Sequence, residues 1–175
     1  MTDFMRNDNY TFSWADIGDI NVGRPNLGCL TNVAVYRLMQ YTLRSVLNRK
    51  LGGENAAEMF YNAGHLAGRE FCKNMLDVSL EFSEFAAELQ SQLKELKIGV
   101  LRLEKTDLEK LELTLVVTED LDCSGLPITD ETVCDYDEGF IAGILEEYTG
   151  KAFDVKEVDC WSKGDRVCRF EAKLG

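Results

Sequence analysis

Six cysteines are the residues of this chain with the clearest capacity for chemistry, and half of them lie in its last quarter. The six are Cys29, Cys72, Cys123, Cys134, Cys160 and Cys168. Cys160 and Cys168 flank a predicted hairpin turn, Cys134 precedes a predicted helix, and Glu157 lies just before Cys160. Three thiolates and a carboxylate form a donor set that zinc binds. The spacing predicts a metal site made of Cys134, Glu157, Cys160 and Cys168.

These four donors would fill the tetrahedral shell of zinc and leave no position for water, so the predicted site is structural rather than hydrolytic. Glu157 and Cys160 are three residues apart. A regular strand would direct them to opposite faces, and convergence therefore requires a bulge or an irregular strand end. Two alternatives stay open from the residues alone: free thiols in a core, and a Cys160–Cys168 disulfide.

Other reactive side chains carry weaker signals. His65 is the only histidine, which leaves little material for a histidine-based metal centre or acid–base chemistry. Its place beside the apolar stripe of a predicted helix favours a structural role. Cys123 falls in a predicted exposed loop, where a thiol sensor is conceivable, but the sequence shows no neighbouring base or cationic cluster that would activate it.

The predicted elements around the C-terminal cysteines are one helix and two hairpins. Alternating apolar residues predict strands over 99–104 and 111–118, connected near residues 106–107 and followed by a loop over 119–130. A helical stripe predicts a helix over 136–149. The final hairpin is predicted over 152–161 and 166–172.

Three helices are predicted before the strands, over 32–48, 54–76 and 81–97, after an irregular segment over 1–30. The second has a stripe of small residues, which indicates either close helix packing or one wall of a cavity. This order of elements predicts an α+β fold, with a small antiparallel sheet packed with helices. We expect an N-terminal extension over 1–19 and a single domain over 20–175.

Composition limits the function classes. The chain has 175 residues, 45% of them hydrophobic and 29% charged, which is typical of a globular protein. A net charge of −12 opposes binding to nucleic-acid phosphates and to anionic membranes. Residues 1–9 lack the layout of a signal peptide and no apolar run is long enough for a membrane helix. We therefore expect a cytoplasmic protein with reduced thiols.

Several segments resemble a known family. Residues 134–143, 150–151, 157–160 and 164–170, together with residues 24–28 and 61–64, resemble the 4-vinyl reductase domain family of predicted hydrocarbon-binding proteins. The same segments are similar to the sensor domain of phenol-responsive transcriptional activators. That resemblance implies zinc bound by Cys134, Glu157, Cys160 and Cys168, a ligand-binding fold shared with nitric-oxide sensors and TRAPP transport subunits, and a homodimer.

The chain also departs from these relatives. The segments around Phe85 and Leu113 are mostly apolar, so a polar pair specific for phenols is not evident. The histidine motif of the haem sensors is not found. The ATPase and DNA-binding domains of the activators are not expected here, which predicts a sensing domain without its own effector domain.

Three functions follow as hypotheses. The first is a zinc-stabilised domain that binds or senses a small hydrophobic or aromatic ligand, without contacting nucleic acid or membrane. Its pocket would be lined by Phe85, Leu89, Leu101, Leu113, Leu115 and Ile144, unless these residues fill a solid core. The second is a reductase of tetrapyrrole vinyl groups or its accessory protein, although no glycine-rich dinucleotide loop is found. The third is a dimeric assembly or adaptor protein, with an exposed patch around Tyr36, Met39 and Tyr41.

Overall fold

The computed structural model describes residues 9–175, which divide into two units. Met1–Asn32 is the first unit, and its described part contains a 3₁₀ turn and one short helix, α1 (Ile20–Gly23). The Asp19 side chain caps α1 by accepting a hydrogen bond from the backbone N–H of Val22 at 3.0 Å. Residues 1–8 of the predicted extension lie outside the described residues, and the boundary at residue 20 stays a prediction.

The second unit, Val33–Gly175, contains the remaining helices and strands. In chain order they are α2 (Val33–Leu51), α3 (Gly53–Met75), α4 (Phe82–Glu95), β1 (Val100–Asp107), β2 (Glu112–Thr118), α5 (Asp135–Thr149), β3 (Phe153–Asp159) and β4 (Cys168–Leu174). Gly52 separates α2 from α3 with a φ of 84°, a conformation that glycine adopts without strain. The four predicted helices are all present, with bounds within three residues of those predicted.

The four strands form one antiparallel sheet in the order β1-β2-β4-β3. Strand side chains alternate, so one face of β3 and β4 is buried and the other carries charged residues. The buried face includes Val155, Phe170 and Ala172, each 2% exposed or less. The predicted α+β fold with a small antiparallel sheet and helices is confirmed.

The contact between α3 and α5 depends on glycine. A Cβ at Gly64 would overlap the carbonyl oxygen of Tyr136, and a Cβ at Gly143 would overlap that of His65. Gly68 and Gly139 meet the opposite backbone in the same way. The small-residue stripe of the second predicted helix therefore serves close helix packing, and α5 lies against α3 with no side chain between the two backbones at these points.

Helix α4 packs its apolar side chains inward beside the sheet. Phe85, Leu89 and Leu93 are buried, and the Phe85 ring stacks on Tyr148 of α5 with centroids 3.9 Å apart. The ring of Phe71 in α3 meets that of Phe140 in α5 at 5.3 Å. These aromatic pairs join α3, α4 and α5.

The first hairpin turn is a correction to the sequence prediction. The connection was predicted near residues 106–107, but β1 continues to Asp107 and the turn follows it. Asp107 Oδ1 accepts hydrogen bonds from the backbone N–H groups of Glu109 and Lys110 at 3.1 and 3.0 Å. A register shift between Leu103 and Lys105 lets the strand continue beyond the break in its alternation.

None of the helices within residues 9–175 is long and apolar enough to cross a membrane.

Candidate metal centre and adjoining cavity

Five potential metal ligands converge beneath the terminal hairpin. The side-chain ligand atoms of Cys123, Cys134, Glu157, Cys160 and Cys168 all lie within 4.8 Å of one another, and all five residues are buried. The sulfur atoms of Cys134 and Cys160 are 4.0 Å apart. All four residues predicted as ligands are in this group, and it includes one thiol that the sequence analysis did not place there.

An irregular strand end brings Glu157 and Cys160 to the same side. The pairing of β3 with β4 shifts register between Glu157 and Asp159, after which Cys160 begins a short 3₁₀ turn. The carboxyl group of Asp165 accepts a hydrogen bond from the Cys160 backbone N–H at 3.0 Å and closes that turn. The shift provides the irregularity that a shared site requires of these two residues.

The other ligands come from the helix start and the last strand. Cys134 stands at the N-cap position of α5, and Cys168 is the first residue of β4. Glu157 Oε2 accepts a hydrogen bond from the Cys134 backbone N–H at 3.3 Å. The cluster therefore joins the start of α5 to both strands of the terminal hairpin.

Cys123 is the finding that corrects the loop prediction. The loop after β2 was predicted to expose this thiol, but Cys123 is fully buried. Its sulfur lies 3.0 Å from that of Cys168. An Asp120–Asp122 pair two residues apart, a turn-forming pattern, is the sequence signal that pointed to a folded rather than an exposed loop.

The ionisation states of the cluster depend on one another. Burial raises the pKa of Glu157 to about 8, and the charge of Cys160 acts in the same direction. Hydrogen bonds with Cys123, Cys134 and Cys168 lower the pKa of Cys160. The hydrogen bond with Cys123 raises the pKa of Cys134. One ionised thiol thus opposes ionisation of its neighbours, and a bound cation would remove that opposition.

The donor set fits a divalent soft-to-borderline metal such as zinc. Structural zinc sites use four ligands drawn from thiolates, imidazoles and carboxylates, and the cluster offers four thiols and one carboxylate. Glu157 Oε1 is buried and has no hydrogen-bond partner among the described residues. A buried carboxylate oxygen without a partner is costly unless a ligand satisfies it. All six cysteines are free of disulfides within residues 9–175, which agrees with the predicted thiols.

Three acidic side chains next to the cluster were not singled out from the sequence. Asp120 and Asp137 have carboxylate oxygens within 4.8 Å of the Cys134 sulfur. Burial, with the charge of Asp122 second, raises the pKa of Asp120 to about 6. Burial also raises the pKa of Asp137, whose buried Oδ2 has no hydrogen-bond partner in the described part of the chain. The acids come together only in the fold, because their elements lie far apart along the chain.

An apolar cavity of about 40 Å³ lies between α4, α5 and the sheet. Its apolar lining includes Leu89, Leu93, Ile98, Leu101, Leu115, Val117, Phe140, Ile141, Ile144, Leu145 and Phe170. Asp120 and Asp137 are the two acidic residues of the lining. The cavity and the cysteine cluster are therefore neighbours that share these acids.

The structure places the six predicted pocket residues in two groups. Leu89, Leu101, Leu115 and Ile144 line the cavity. Phe85 and Leu113 are buried but lie outside its lining, Phe85 against Tyr148 and Leu113 opposite Ala172 in the sheet.

Other side chains considered in the sequence analysis have local partners. His65 Nε2 lies 2.8 Å from Glu146 Oε2, so α3 and α5 share this pair at the rim of their contact. Of the apolar patch predicted on the first long helix, only Met39 is exposed, at 62%. The hydroxyl groups of Tyr36 and Tyr41 donate hydrogen bonds to the carboxylate and the carbonyl of Asp122.

Comparison with known proteins finds one family. The model of the 4-vinyl reductase domain matches residues 113–174, which include all five donors of the cluster. The uncharacterized protein MJ1642 of Methanocaldococcus jannaschii is 30% identical over 148 residues, covering 85% of this chain and 81% of that protein.

Solved structures of low identity share the fold. The phenol-responsive sensory domain of the transcription activator PoxR, solved with phenol, has a TM-score of 0.62 at 18% identity and covers 83% of this chain and 76% of its own. A vinyl-4-reductase family protein from Methanocaldococcus jannaschii has a TM-score of 0.58 at 19% identity, with coverages of 85% and 84%.

A third similar structure comes from a different functional class. Trafficking protein particle complex subunit 3 from Naegleria fowleri, covalently bound to palmitic acid, has a TM-score of 0.60 at 15% identity, with coverages of 82% and 97%. The predicted likeness to TRAPP subunits is therefore confirmed for the fold. The family model and the relative of 30% identity decide the family itself. This chain belongs to the 4-vinyl reductase domain family.

Proposed function

We propose that this protein is a metal-stabilised domain that binds a small hydrophobic or aromatic molecule in the cytoplasm. The observation that carries the proposal is the apolar cavity lying directly beside a buried cluster of metal donors. A metal there would fasten the wall of the cavity to the terminal hairpin. The free thiols of all six cysteines support a reducing compartment.

The ligands proposed for the ion are Cys134, Glu157, Cys160 and Cys168, and zinc is the metal that this donor set suits. Bound zinc would supply cross-linking of the fold and would neutralise part of the buried negative charge. The chain's own residues provide the donors, the burial that excludes water, and the turns that hold the hairpin.

The cavity supports a ligand that is mostly apolar. Its volume of about 40 Å³ holds two or three water molecules, at roughly 15 Å³ of such volume for each. An apolar cavity of about 150 Å³ accepts benzene, so an aromatic ring requires the walls to move apart here. Binding by induced widening would then be slower than diffusion and selective for size.

Fold relatives support this ligand class. The sensory domain of PoxR was solved with phenol, and the trafficking subunit was solved with covalently bound palmitic acid. Both molecules have apolar parts. The apolar lining of this chain's cavity suits such a part, while Asp120 and Asp137 give it an acidic end that differs from a uniformly apolar pocket.

The metal assignment is tested by elemental analysis of protein purified without added metal. We expect about one zinc per chain. Cys168→Ser should lose the zinc and lower the melting temperature, because binding energy at a structural site is folding energy. Cys29→Ser, which changes an exposed cysteine of the first unit, is the control and should keep both. Wild-type protein without metal would overturn the assignment.

The ligand assignment is tested by native mass spectrometry and by thermal shift with phenol and with benzene. We expect a co-purified small molecule, or an increase in melting temperature with one of these probes. Ile144→Phe should abolish either signal by filling the cavity, whereas Val78→Phe at an exposed position should not. Absence of a co-purified molecule and of any shift would contradict ligand binding.

A homodimer is part of the same proposal. Helix α2 has one buried residue, Gln40, and its exposed apolar residues include Val35, Leu38 and Met39. An apolar surface of this kind is typical of an interaction site. Sedimentation analysis over a range of concentrations should give twice the chain mass, and a monomer at every concentration would contradict the dimer.

A further inference from the structure

Five donor side chains surround a site that needs four. The proposed metal site of Cys134, Glu157, Cys160 and Cys168 already fills the coordination shell of zinc. Cys123 nevertheless places its sulfur within 4.8 Å of each of the other four ligand atoms. One of the five must therefore remain outside the shell, and the structure offers two candidates for the fourth position, Glu157 and Cys123.

The loop that carries Cys123 is held in place by its own turn. Asp120 Oδ1 accepts hydrogen bonds from the backbone N–H groups of Asp122 and Cys123, both at 2.9 Å. Asp120 and Asp122 are themselves buried, with 4% and 3% exposure. This turn fixes the backbone of Cys123 before any metal is considered.

Helix α2 holds the same loop from the other side. Arg37 donates hydrogen bonds to the carbonyl oxygens of Leu121 at 2.8 Å and Ser124 at 2.9 Å, on both sides of Cys123. Tyr41 donates to the carbonyl oxygen of Asp122 at 2.9 Å. The chain thus uses several long-range hydrogen bonds to hold the loop that brings one thiol into the cluster.

Sulfur positions favour Cys123 as a member of the shell. In a zinc site with four thiolates the sulfur atoms lie about 3.8 Å apart, given Zn–S distances of about 2.3 Å and tetrahedral angles. The Cys123 and Cys168 sulfurs are 3.0 Å apart and those of Cys134 and Cys160 are 4.0 Å apart, so two pairs bracket that spacing. Small side-chain rotations bring four sulfurs to one ion.

Glu157 has a second role available to it. Its Oε2 accepts a hydrogen bond from the Cys134 backbone N–H at 3.3 Å, and its own backbone N–H donates to Glu138 Oε1 at 2.8 Å. Thiolates are the softer donors and select zinc over harder cations. A carboxylate that orients a ligand residue beside the ion is a common outer partner in metal sites.

We propose that Cys123 is the fourth thiolate of this metal site, with Cys134, Cys160 and Cys168, and that Glu157 stands beside the ion as a positioning residue. The inference rests on the proposed function only in requiring that the site binds a metal. It adds a third attachment point: the ion would tie the loop after β2, as well as the start of α5, to the terminal hairpin.

The test is X-ray absorption spectroscopy of the zinc-loaded full chain, which counts sulfur and oxygen neighbours of the ion. We expect four sulfurs in the wild type, three sulfurs and one oxygen or nitrogen in Cys123→Ser, and four sulfurs in Glu157→Gln. Cys29→Ser should be the same as the wild type. The wild-type count decides the matter even if a variant does not fold.

Zinc affinity, measured by competition with a chromophoric chelator, gives a second readout. Loss of an outer partner typically weakens metal binding by about 10–100-fold, and loss of a ligand should exceed that range. We expect Cys123→Ser to lose more than about 100-fold and Glu157→Gln to lose less.

Three sulfurs and one oxygen in the wild type, with no change in Cys123→Ser, would overturn the assignment of Cys123 while leaving the metal site itself in place. A wild-type chain that binds no zinc would instead overturn the proposed metal site.

Discussion

Two buried regions of this molecule are stabilised by different means. Between α3 and α5, glycines let two backbones touch, and shape alone makes the contact. Beneath the terminal hairpin, thiols and carboxylates gather in a space with too few hydrogen-bond partners. The first region needs nothing from outside the chain, whereas the second has a surplus of negative donors that a cation would neutralise.

The comparison separates packing from charge as sources of stability. Changes that add atoms should damage the glycine contact and leave the metal content alone. Changes in metal or in pH should damage the cysteine cluster and leave the helix contact alone. Each of the following measurements tests one side of this difference, and the largest expected effect comes first.

Removal of metal should have the largest effect, about 5 kcal/mol or more of unfolding free energy, because structural zinc contributes roughly 10–16 kcal/mol in small zinc-binding peptides. Hydrogen exchange should accelerate in β3, β4 and the loop over 119–127, while amides in the middle of α3 and α5 stay protected. Readdition of zinc, but not of magnesium, should restore protection. Uniform acceleration in both regions would show that they are not independent.

Gly143→Ala should cost on the order of 4 kcal/mol, because the new Cβ overlaps the His65 carbonyl oxygen and only helix separation relieves it. Gly53→Ala is the matched control, since its Cβ meets no described atom within 4 Å, and it should change stability by less than about 1 kcal/mol. Chemical denaturation measures both. Equal stability of the two variants would show that the glycine contact is not required.

Asp120→Asn should change the pH dependence of stability. The pKa of Asp120 is about 6 in the folded state and about 3.9 when unfolded, so the folded state holds more protons between those values. Its contribution to the unfolding free energy therefore decreases as pH rises from 4 to 6. Asparagine cannot ionise and keeps the acceptor oxygen for the Asp122 and Cys123 N–H groups.

The variant should gain about 1–3 kcal/mol relative to the wild type across that range, at 1.36 kcal/mol per pKa unit with allowance for partial solvation. The difference between the two proteins is the quantity to measure, because acid also protonates thiolates and weakens metal binding in both. A difference that stays constant with pH would contradict the raised pKa.

Arg69→Ala should have the smallest effect, less than about 1 kcal/mol. Arg69 Nε lies 3.2 Å from Glu147 Oε2 at the rim of the α3–α5 contact, where its side chain is 41% exposed. Water and salt screen ion pairs at such positions. Denaturation at low and high ionic strength should show the small loss only at low salt. A loss of several kcal/mol would mean that charge contributes to the helix contact as it does to the cluster.

The fold was largely predictable because its signals are local. Helical stripes and strand alternation depend on residues a few positions apart, and the order of elements then fixed the class as α+β. The error at the first hairpin also has a local cause. The acceptor oxygen of Asp107 satisfies two backbone N–H groups after it, so the turn begins later than the alternation suggested.

The candidate site was predictable only in part. Cys134, Glu157, Cys160 and Cys168 stand out by type and spacing in one stretch of sequence. Cys123 does not, because its burial depends on Arg37 and Tyr41, which are more than 80 positions away along the chain. Asp120 and Asp137 meet for the same reason, and no local pattern announces a contact made through tertiary structure.

The sheet order has a consequence for how the protein is made. Strand β4 lies between β2 and β3, although it follows both in the chain. A ribosome releases a chain from its N-terminus at roughly 5–20 residues per second, so β3 must wait without its only sheet neighbour until β4 emerges. Cys168 reaches its partners in that same final step. A nascent chain stalled before residue 168 would expose an unpaired strand, a hazard that chaperones recognise.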